Sequence, residues 1–464
     1  MKTEDLKKAL ENTADDLIEE ALPESYGKPA KQRPLWLKYG AAAAVLALVA
    51  LAGILLLPGM KGGRGGTKTA QAADLLEPYK AQPVAEKKAD AAFRQAGLDW
   101  AARLFTQSYK LEKENKNLLL SPLSVMTALA MASNGAGGDT LAQLEKALGG
   151  EIKLADLNAY LHTYLKNLPS SEKARFHFAN GIWFKDQADF QVEENFLQRN
   201  VNYYEAAIRK APFDESTLQE INQWTAQHTD NMIPQLLNQL KEEDLMVLVN
   251  ALCFEAKWAN PFDETNCRKD VFTNLRGEEN EALYMFGSAD TYLESDGIIG
   301  MLKSYEGGSY QFAAFLPEEG TDFNSFAASL KGETLSKLLS SATDRYSTDI
   351  KLPKFSKDYS VSLINALEQL GIRDALEKGE RKADFSGISQ TPLFISDVIH
   401  KTHIDVDSEG TRAAAATGVV MGYGATMITE WKEVNLDRPF VYMIIDSQTQ
   451  LPLFIGTVTE FAAE

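Results

Sequence analysis

The stretch EGTRAAAATGVV, Glu409 to Val420, decides how this sequence is read. Four consecutive alanines stand between Arg412 and Thr417, in a segment too polar for a core and too bland for an active site. Just upstream, DVIHKTHIDVD alternates as a strand that ends near Asp407. About 25 residues follow without a convincing helix or turn, and the strand pattern resumes at RPFVYMI. A loop of that length inside a compact domain is usually functional or disordered. A flexible surface loop and a short Ala-rich helix are the plainer readings.

Period two gives the loop a further meaning. As a strand, one face would carry Thr411, Ala413, Ala415, Thr417, Val419 and Met421, all uncharged and the first four small. The other face would carry Arg412, Ala414, Ala416, Gly418 and Val420, so the one charge points outward. The loop is therefore built to be exposed first and to become a central strand later. Such a switch stores and releases conformational strain.

The rest of the chain is ordinary globular material. Of 464 residues, 45% are hydrophobic and 24% charged. The net charge of −18, from 47 Lys and Arg against 65 Asp and Glu, argues against nucleic acid as a partner, because phosphate binding needs a basic face. Two cysteines, Cys253 and Cys267, exclude a disulfide scaffold and leave a single bridge open.

The N-terminus reads as separate from the fold. YGAAAAVLALVALAGILLLPGM, Tyr39 to Met60, carries no charge. Its core from Gly40 to Leu57 spans about 27 Å as a helix, against a hydrocarbon thickness of about 30 Å. Trp36 and Tyr39 sit at one end, as interfacial aromatics do. The expected organisation is a cytoplasmic segment over 1–38, a transmembrane helix over 39–60, a flexible stalk over 61–90 and a globular domain over 91–464. The slight excess of basic residues before the span favours that domain outside the cell. A cleaved signal peptide, with the small-residue site Ala70 to Ala72, and hence a secreted protein, is the rival. Residues 1–22 read as a short acidic amphipathic helix.

From residue 91 the patterns are mixed. DAAFRQAGLDWAARLFTQSYK has helical spacing, and NLLLSPLSVMTALAMASNGAGGDTLAQLEKALGG reads as strand, turn at Ser121-Pro122, apolar helix, Gly-rich break and amphipathic helix. RFHFANGIWFKDQ alternates, LMVLVNALCFEAKW suggests a strand covered on both faces, and RPFVYMIIDSQTQLPLFIGTV is a hairpin around Asp446 to Gln450. Strands and helices do not alternate one for one, which favours an α+β fold. No enzyme site assembles: Gly-x-Ser-x-Gly and Gly-x-x-x-x-Gly-Lys are missing. His400 and His403, three apart on a strand, face opposite ways and cannot share a metal.

Several segments, in order, resemble the serpins. They are NLLLSPLSVMTALAMASNGAGGDTLAQL (Asn117 to Leu144), INQWTAQHTDNMIPQLL (Ile221 to Leu237), LVNALCFEAKWANPF (Leu248 to Phe262), KLPKF (Lys351 to Phe355), ADFSGIS (Ala383 to Ser389), VIHKTHIDVDSEGT (Val398 to Thr411) and VNLDRPFVYMI (Val434 to Ile444). The loop itself is similar to the reactive-loop hinge of inhibitory members. The resemblance covers about residues 92–461 and looks like a bacterial-type member with an N-terminal anchor.

It implies a large central sheet, further sheets, surrounding helices and an exposed reactive loop. It implies a monomeric suicide-substrate inhibitor, not an enzyme, with no cofactor or metal. A serine protease, or in some cases a cysteine protease, would be bound covalently and trapped as the loop inserts. Ser124, Asn250 and His400 would form the shutter that controls sheet opening, Trp258 the breach where insertion starts, and Glu409, Gly410, Thr411, Ala413 and Ala415 the hinge, with Gly410 supplying conformational freedom.

The chain departs from the common acid-acid-Gly-Thr-Glu hinge, having Ser408-Glu409-Gly410-Thr411-Arg412. The resemblance implies, by the family's usual spacing from Gly410, a cleaved bond after about Gly424, and by counting back from Arg438-Pro439-Phe440 one near Ile428; Gly424–Ala425 is favoured, with cleavage after Tyr423 or Met427 as rivals. Between Arg412 and Lys432 there is no Lys or Arg, so elastase-, subtilisin- or chymotrypsin-like targets are expected over trypsin-like ones. The alternative is a non-inhibitory serpin acting as a binding or carrier module.

Overall fold

The computed structural model describes residues 72–113, 117–170, 173–188, 190–204, 207–377, 383–411 and 430–461. In chain order these form β1 (Ala73–Asp74), α1 (Ala91–Leu111), β2 (Leu119–Leu120), α2 (Pro122–Ser133), α3 (Gly138–Gly149), α4 (Leu154–Asn167), β3 (Ala174–Lys185), α5 (Glu194–Tyr203), β4 (Ala207–Ala211), α6 (Glu215–His228) and β5 (Met246–Lys257). Then come β6 (Arg268–Thr273), β7 (Glu279–Ala289), β8 (Thr291–Ser295), β9 (Ile298–Ser304), β10 (Tyr310–Pro317), α7 (Phe323–Ser329), α8 (Gly332–Ser340), β11 (Ser347–Pro353), β12 (Phe355–Ser362) and α9 (Ile364–Gln369). The chain closes with β13 (Asp397–Val406), β14 (Gly410–Thr411), β15 (Trp431–Asn435), β16 (Phe440–Asp446) and β17 (Pro452–Val458).

Local chemistry sets the helix starts. Asp90 caps α1, its carboxylate accepting from the Phe93 N–H at 2.9 Å. Ser121 caps α2, with Pro122 in the first turn where its missing N–H costs nothing. Asp214 caps α6, accepting from the Ser216 and Thr217 amides.

Three sheets result among the described residues. The large central one runs β1-β4-β3-β5-β14-β13-β12; a second runs β2-β17-β16-β10-β9-β8; the third runs β15-β11-β7-β6. The central strand β5 shows why its sequence is a continuous apolar run. Leu248, Leu252 and Phe254 enter the main core, while Val247, Val249, Ala251 and Cys253 enter a separate cluster under Ile221 and Trp224 of α6. Both faces are covered, so both sets of alternate residues must be apolar. Trp183 of β3 packs edge-on against Trp224 at 5.0 Å. No disulfide joins Cys253 and Cys267.

Two segments differ from expectation. Residues 72–90, assigned to a flexible stalk, lie against the domain. β1 pairs antiparallel with β4, the Gln82 amide donates to Asn202 Oδ1 at 2.9 Å and the Lys87 amide to Thr163 Oγ1 at 2.8 Å. The edge of β4 offers backbone groups that a short strand satisfies, a tertiary reason that local composition does not carry. Trp431–Asn435, taken as loop, forms β15 and pairs parallel with β11. Its partner lies some 80 residues upstream. Among the described residues no helix is long and apolar enough to cross a membrane; the run 39–60 lies outside them.

Candidate functional site: the seam of the central sheet

β5 and β13 run parallel and pair directly over Val247–Cys253 and Asp397–His403. Above that stretch they part, and β14 sits between them, antiparallel to both, with Gly410 opposite Lys257 and Thr411 opposite Ala256 and Val406. The seam thus has a closed lower part and an occupied upper end.

In the closed part, Asn180, Asn250 and His400 are register neighbours on β3, β5 and β13. All face the main core beneath α2 and are almost fully buried. The Asn250 amide donates to Ser124 Oγ at 2.5 Å and to Asn180 Oδ1 at 2.7 Å, and Ser124 Oγ lies 3.3 Å from Asn180 Oδ1. The Ser121 amide donates to His400 Nε2 at 3.0 Å, so that nitrogen is the unprotonated one. His400 Nδ1 therefore carries the proton and donates to Asn250 Oδ1 at 2.6 Å. Burial, which disfavours the charged imidazolium, pulls the His400 pKa down to about 3. Thr402, two residues along, donates to the Leu119 carbonyl at 2.8 Å. The expected trio Ser124, Asn250 and His400 is one connected network. Asn180 and Ser121 were not singled out from sequence; a lone Asn amid the apolar alternation of RFHFANGIWF was the available signal.

At the upper end, Trp258 holds the chain that leads into β14. Its Nε1 donates to the Asp407 carbonyl and its backbone amide to the Glu409 carbonyl, both at 2.8 Å. Its ring stacks on Tyr305 at 4.6 Å. The Tyr305 hydroxyl meets Thr411 Oγ1 at 2.6 Å, which buries Thr411 completely and matches its inward assignment. Asp407 Oδ1 accepts from the Glu409 and Gly410 amides. The fold gives glycine at 410 a steric reason: a Cβ there would come within 2.1 Å of the Ala256 carbonyl oxygen. Close approach to β5 forbids a side chain.

A polar latch lies beside this entry. Ser408 Oγ and Lys354 Nζ both bond Glu264 Oε1, and Lys354 Nζ also reaches Ser408 Oγ at 3.1 Å. The Ser408 hydroxyl and then Lys354 hold the Glu264 carboxyl below its usual range. Lys303 lies over the Phe262 ring at 4.5 Å, and burial lowers its pKa to about 8. None of Tyr305, Glu264, Lys354 or Lys303 stood out in the sequence, because their partners lie far along the chain, up to 144 residues away. On the opposite face of β13, His403 bridges Asp358 at 2.9 Å and Asp405 at 3.0 Å. Asp405 first and Asp358 next raise its pKa.

Ala413, Ala415 and the cleavage candidates Tyr423, Gly424, Ala425 and Met427 lie outside the described residues. Among the described residues no group of three or more His, Cys, Asp or Glu could hold a metal ion.

Comparison with known proteins places this geometry. The family model described as serpin (serine protease inhibitor) matches residues 95–461. A serine protease inhibitor of Cyanea capillata is 30% identical over 393 residues, covering 80% of this chain and 100% of its own. The native-state structure of tengpin, a thermophilic serpin, aligns with a TM-score of 0.79 and 41% identity, over 84% of this chain and all of tengpin. Human thyroxine-binding globulin complexed with its ligand aligns with a TM-score of 0.70 and 25% identity, over 80% of this chain and 98% of that one.

Proposed function

Because this chain belongs to the serpin family, we propose that it is a suicide-substrate inhibitor of serine proteases whose loop, once attacked, enters the central sheet between β5 and β13. The observation that carries this reading is β14. Two residues of the segment leading into the loop already occupy the seam, antiparallel to both flanking strands. Continued residue by residue, the same register brings Thr417 to the row of Asn250 and His400 on the core face. Ala413 and Ala415 would pass the rows above it. Insertion exchanges one parallel ladder for two antiparallel ones, the stronger pairing.

The roles follow. The protease supplies the nucleophile and forms the acyl-enzyme. Trp258 and Tyr305 fix where the strand starts. Ser124, Asn250 and His400, with Asn180, are the catch that must yield before the strand descends. Attack falls at Gly424–Ala425 or, failing that, after Tyr423 or Met427. A trypsin-like pocket carries a carboxylate that needs a cation, and this loop offers none past Arg412. The targets are therefore elastase-, subtilisin- or chymotrypsin-like. The run 39–60 anchors the protein with its inhibitory domain outside the cell.

The test is a panel of proteases mixed with the full-length chain, with covalent complexes resolved in denaturant and the cleaved bond mapped by mass spectrometry. A stable complex with an elastase- or subtilisin-type enzyme is expected. Cleavage within 412–429 without a complex would favour a binding or carrier protein. In the same assay Thr411→Arg buries a charge against Tyr305, at a cost of several kcal/mol. The variant should be cut as a substrate and not trapped; trapping equal to wild type removes insertion from the reading.

A further inference from the structure

Outside the seam, a cavity of about 410 Å³ opens beside β8, the edge strand of the second sheet. Asp296 and Gly297 join β8 to β9 as a two-residue turn with φ of 50° and 75°, the left-handed pair that a type I′ hairpin requires. Just past β10, the Glu318 amide donates to the Gly297 carbonyl at 2.9 Å, and a Cβ at 297 would lie 3.5 Å from Glu318 Oε1. Two acids from different strand ends thus come to one rim. On the other side, Tyr292 exchanges backbone hydrogen bonds of 2.9 and 3.0 Å with Thr343, which brings the link between α8 and β11 to the cavity. Tyr292 and Tyr346 meet edge to face at 5.8 Å. The Lys432 ammonium of β15 lies 5.1 and 5.2 Å over these two rings and 3.5 Å from Glu294 Oε2.

We propose that this cavity binds a small linear polyamine, with its ammonium groups on Asp296 and Glu318. Both acids line it, and among the described residues neither carboxylate has a hydrogen bond or an ion pair. Lys337, whose pKa is raised by Glu333 and then by Asp296, is bonded to Glu333 at 3.0 Å. Glu294 is already served by Lys432, and that pair displays the chemistry of the wall: an ammonium group resting on tyrosine rings beside a carboxylate. The lining residues carry three carboxylates, of Glu294, Asp296 and Glu318, against the one guanidinium of Arg345. The Arg345 Nε lies 3.4 Å from Thr343 Oγ1. A metal ion does not suit the place, because among the described residues no three acids converge closely enough to hold one. Carboxylates spread along a cavity match a chain of separated charges better than a point charge. Ile298 and Ile299 also line the cavity and offer the methylenes of such a chain an apolar surface. The volume lies at the lower end of small-molecule sites. The proposal stands independently of loop insertion.

Isothermal titration calorimetry with spermidine on the full-length chain tests it, at fixed ionic strength and with each variant's fold checked by its melting curve. The double variant Asp296→Asn with Glu318→Gln keeps the turn, because asparagine tolerates positive φ. It should weaken spermidine binding about five- to twentyfold, the scale of two exposed ion pairs. Lys432→Gln leaves Glu294 unserved in the same cavity and should tighten binding about two- to threefold. Mg²⁺ at equal ionic strength should not displace spermidine. Wild-type affinity in the double variant overturns the site. So does unchanged or weaker binding by Lys432→Gln, which would place the ligand elsewhere. Displacement by Mg²⁺ overturns it as well, because the heat would then report diffuse attraction to a chain of net charge −18.

Discussion

The seam between β5 and β13 and the block formed by β10, β16 and β17 are both buried, yet they are built on opposite principles. The block is antiparallel throughout, and every residue of β16 and β17 is buried, nearly all of them apolar. The seam is one parallel ladder of seven register pairs, crossed by the polar row Asn180, Asn250 and His400. Apolar packing is non-directional and loses free energy gradually as contacts go. A buried polar row is favourable when complete and costly when half made. The molecule therefore has a sheet that resists change beside a seam that holds until its hydrogen bonds are given up together.

The comparison can be broken most sharply in the block. Phe454→Ala, at a site with no exposure, should cost about 3–5 kcal/mol through lost transfer energy and a residual cavity. A urea titration reads this, and the ratio of trapped to cleaved protein should stay at the wild-type value. A change in that ratio as large as the stability loss would mean that the two regions are not separate.

In the seam, Asn250→Ala removes the donor to Ser124 and Asn180 and the acceptor for His400. The orphaned groups should cost about 1–3 kcal/mol. Unlike the block variant, it should also lose inhibitory capacity on standing, as measured by titration against protease over time. An unchanged shelf life would show that the row does not restrain the seam.

The row also carries a pH signature. The folded protein keeps His400 neutral down to about pH 3, whereas the unfolded chain takes the proton near 6.5. Between these values the unfolded state binds more protons, so this contribution is fully present above about 6.5 and is lost as pH falls toward 3. Stability measured from pH 7.5 to 5 should fall for wild type with an extra slope approaching about 1.4 kcal/mol per pH unit. His400→Gln should lack that extra slope; parallel curves would refute it. The smallest effect belongs to Trp258→Phe, which keeps an aromatic stack on Tyr305 but loses the bond to Asp407, at about 1 kcal/mol in thermal or urea unfolding.

Much of this was legible in the sequence because it is written in local period. The double-sided apolar run of β5, the hairpin of β16 and β17, the start of α2 at Ser121-Pro122 and the inward face of Thr411 follow from alternation and capping. The order of the motifs added Ser124, Asn250, Trp258 and His400 as a set. What alternation could not reach was any feature whose partner lies far along the chain. Asn180 read as an ordinary strand residue, β15 as loop, and residues 72–90 as stalk, because each acquires its place only from a strand edge or a side chain brought in by the fold.

The sequence by itself determined an α+β domain with a small-residue segment able to become a strand, since face and size are properties of the residues in order. Only the tertiary structure decided that Gly410 and Thr411 sit between β5 and β13, and that a side chain at 410 would meet the Ala256 carbonyl. Those are statements about register, and register is fixed by pairing strands that the chain holds more than a hundred residues apart.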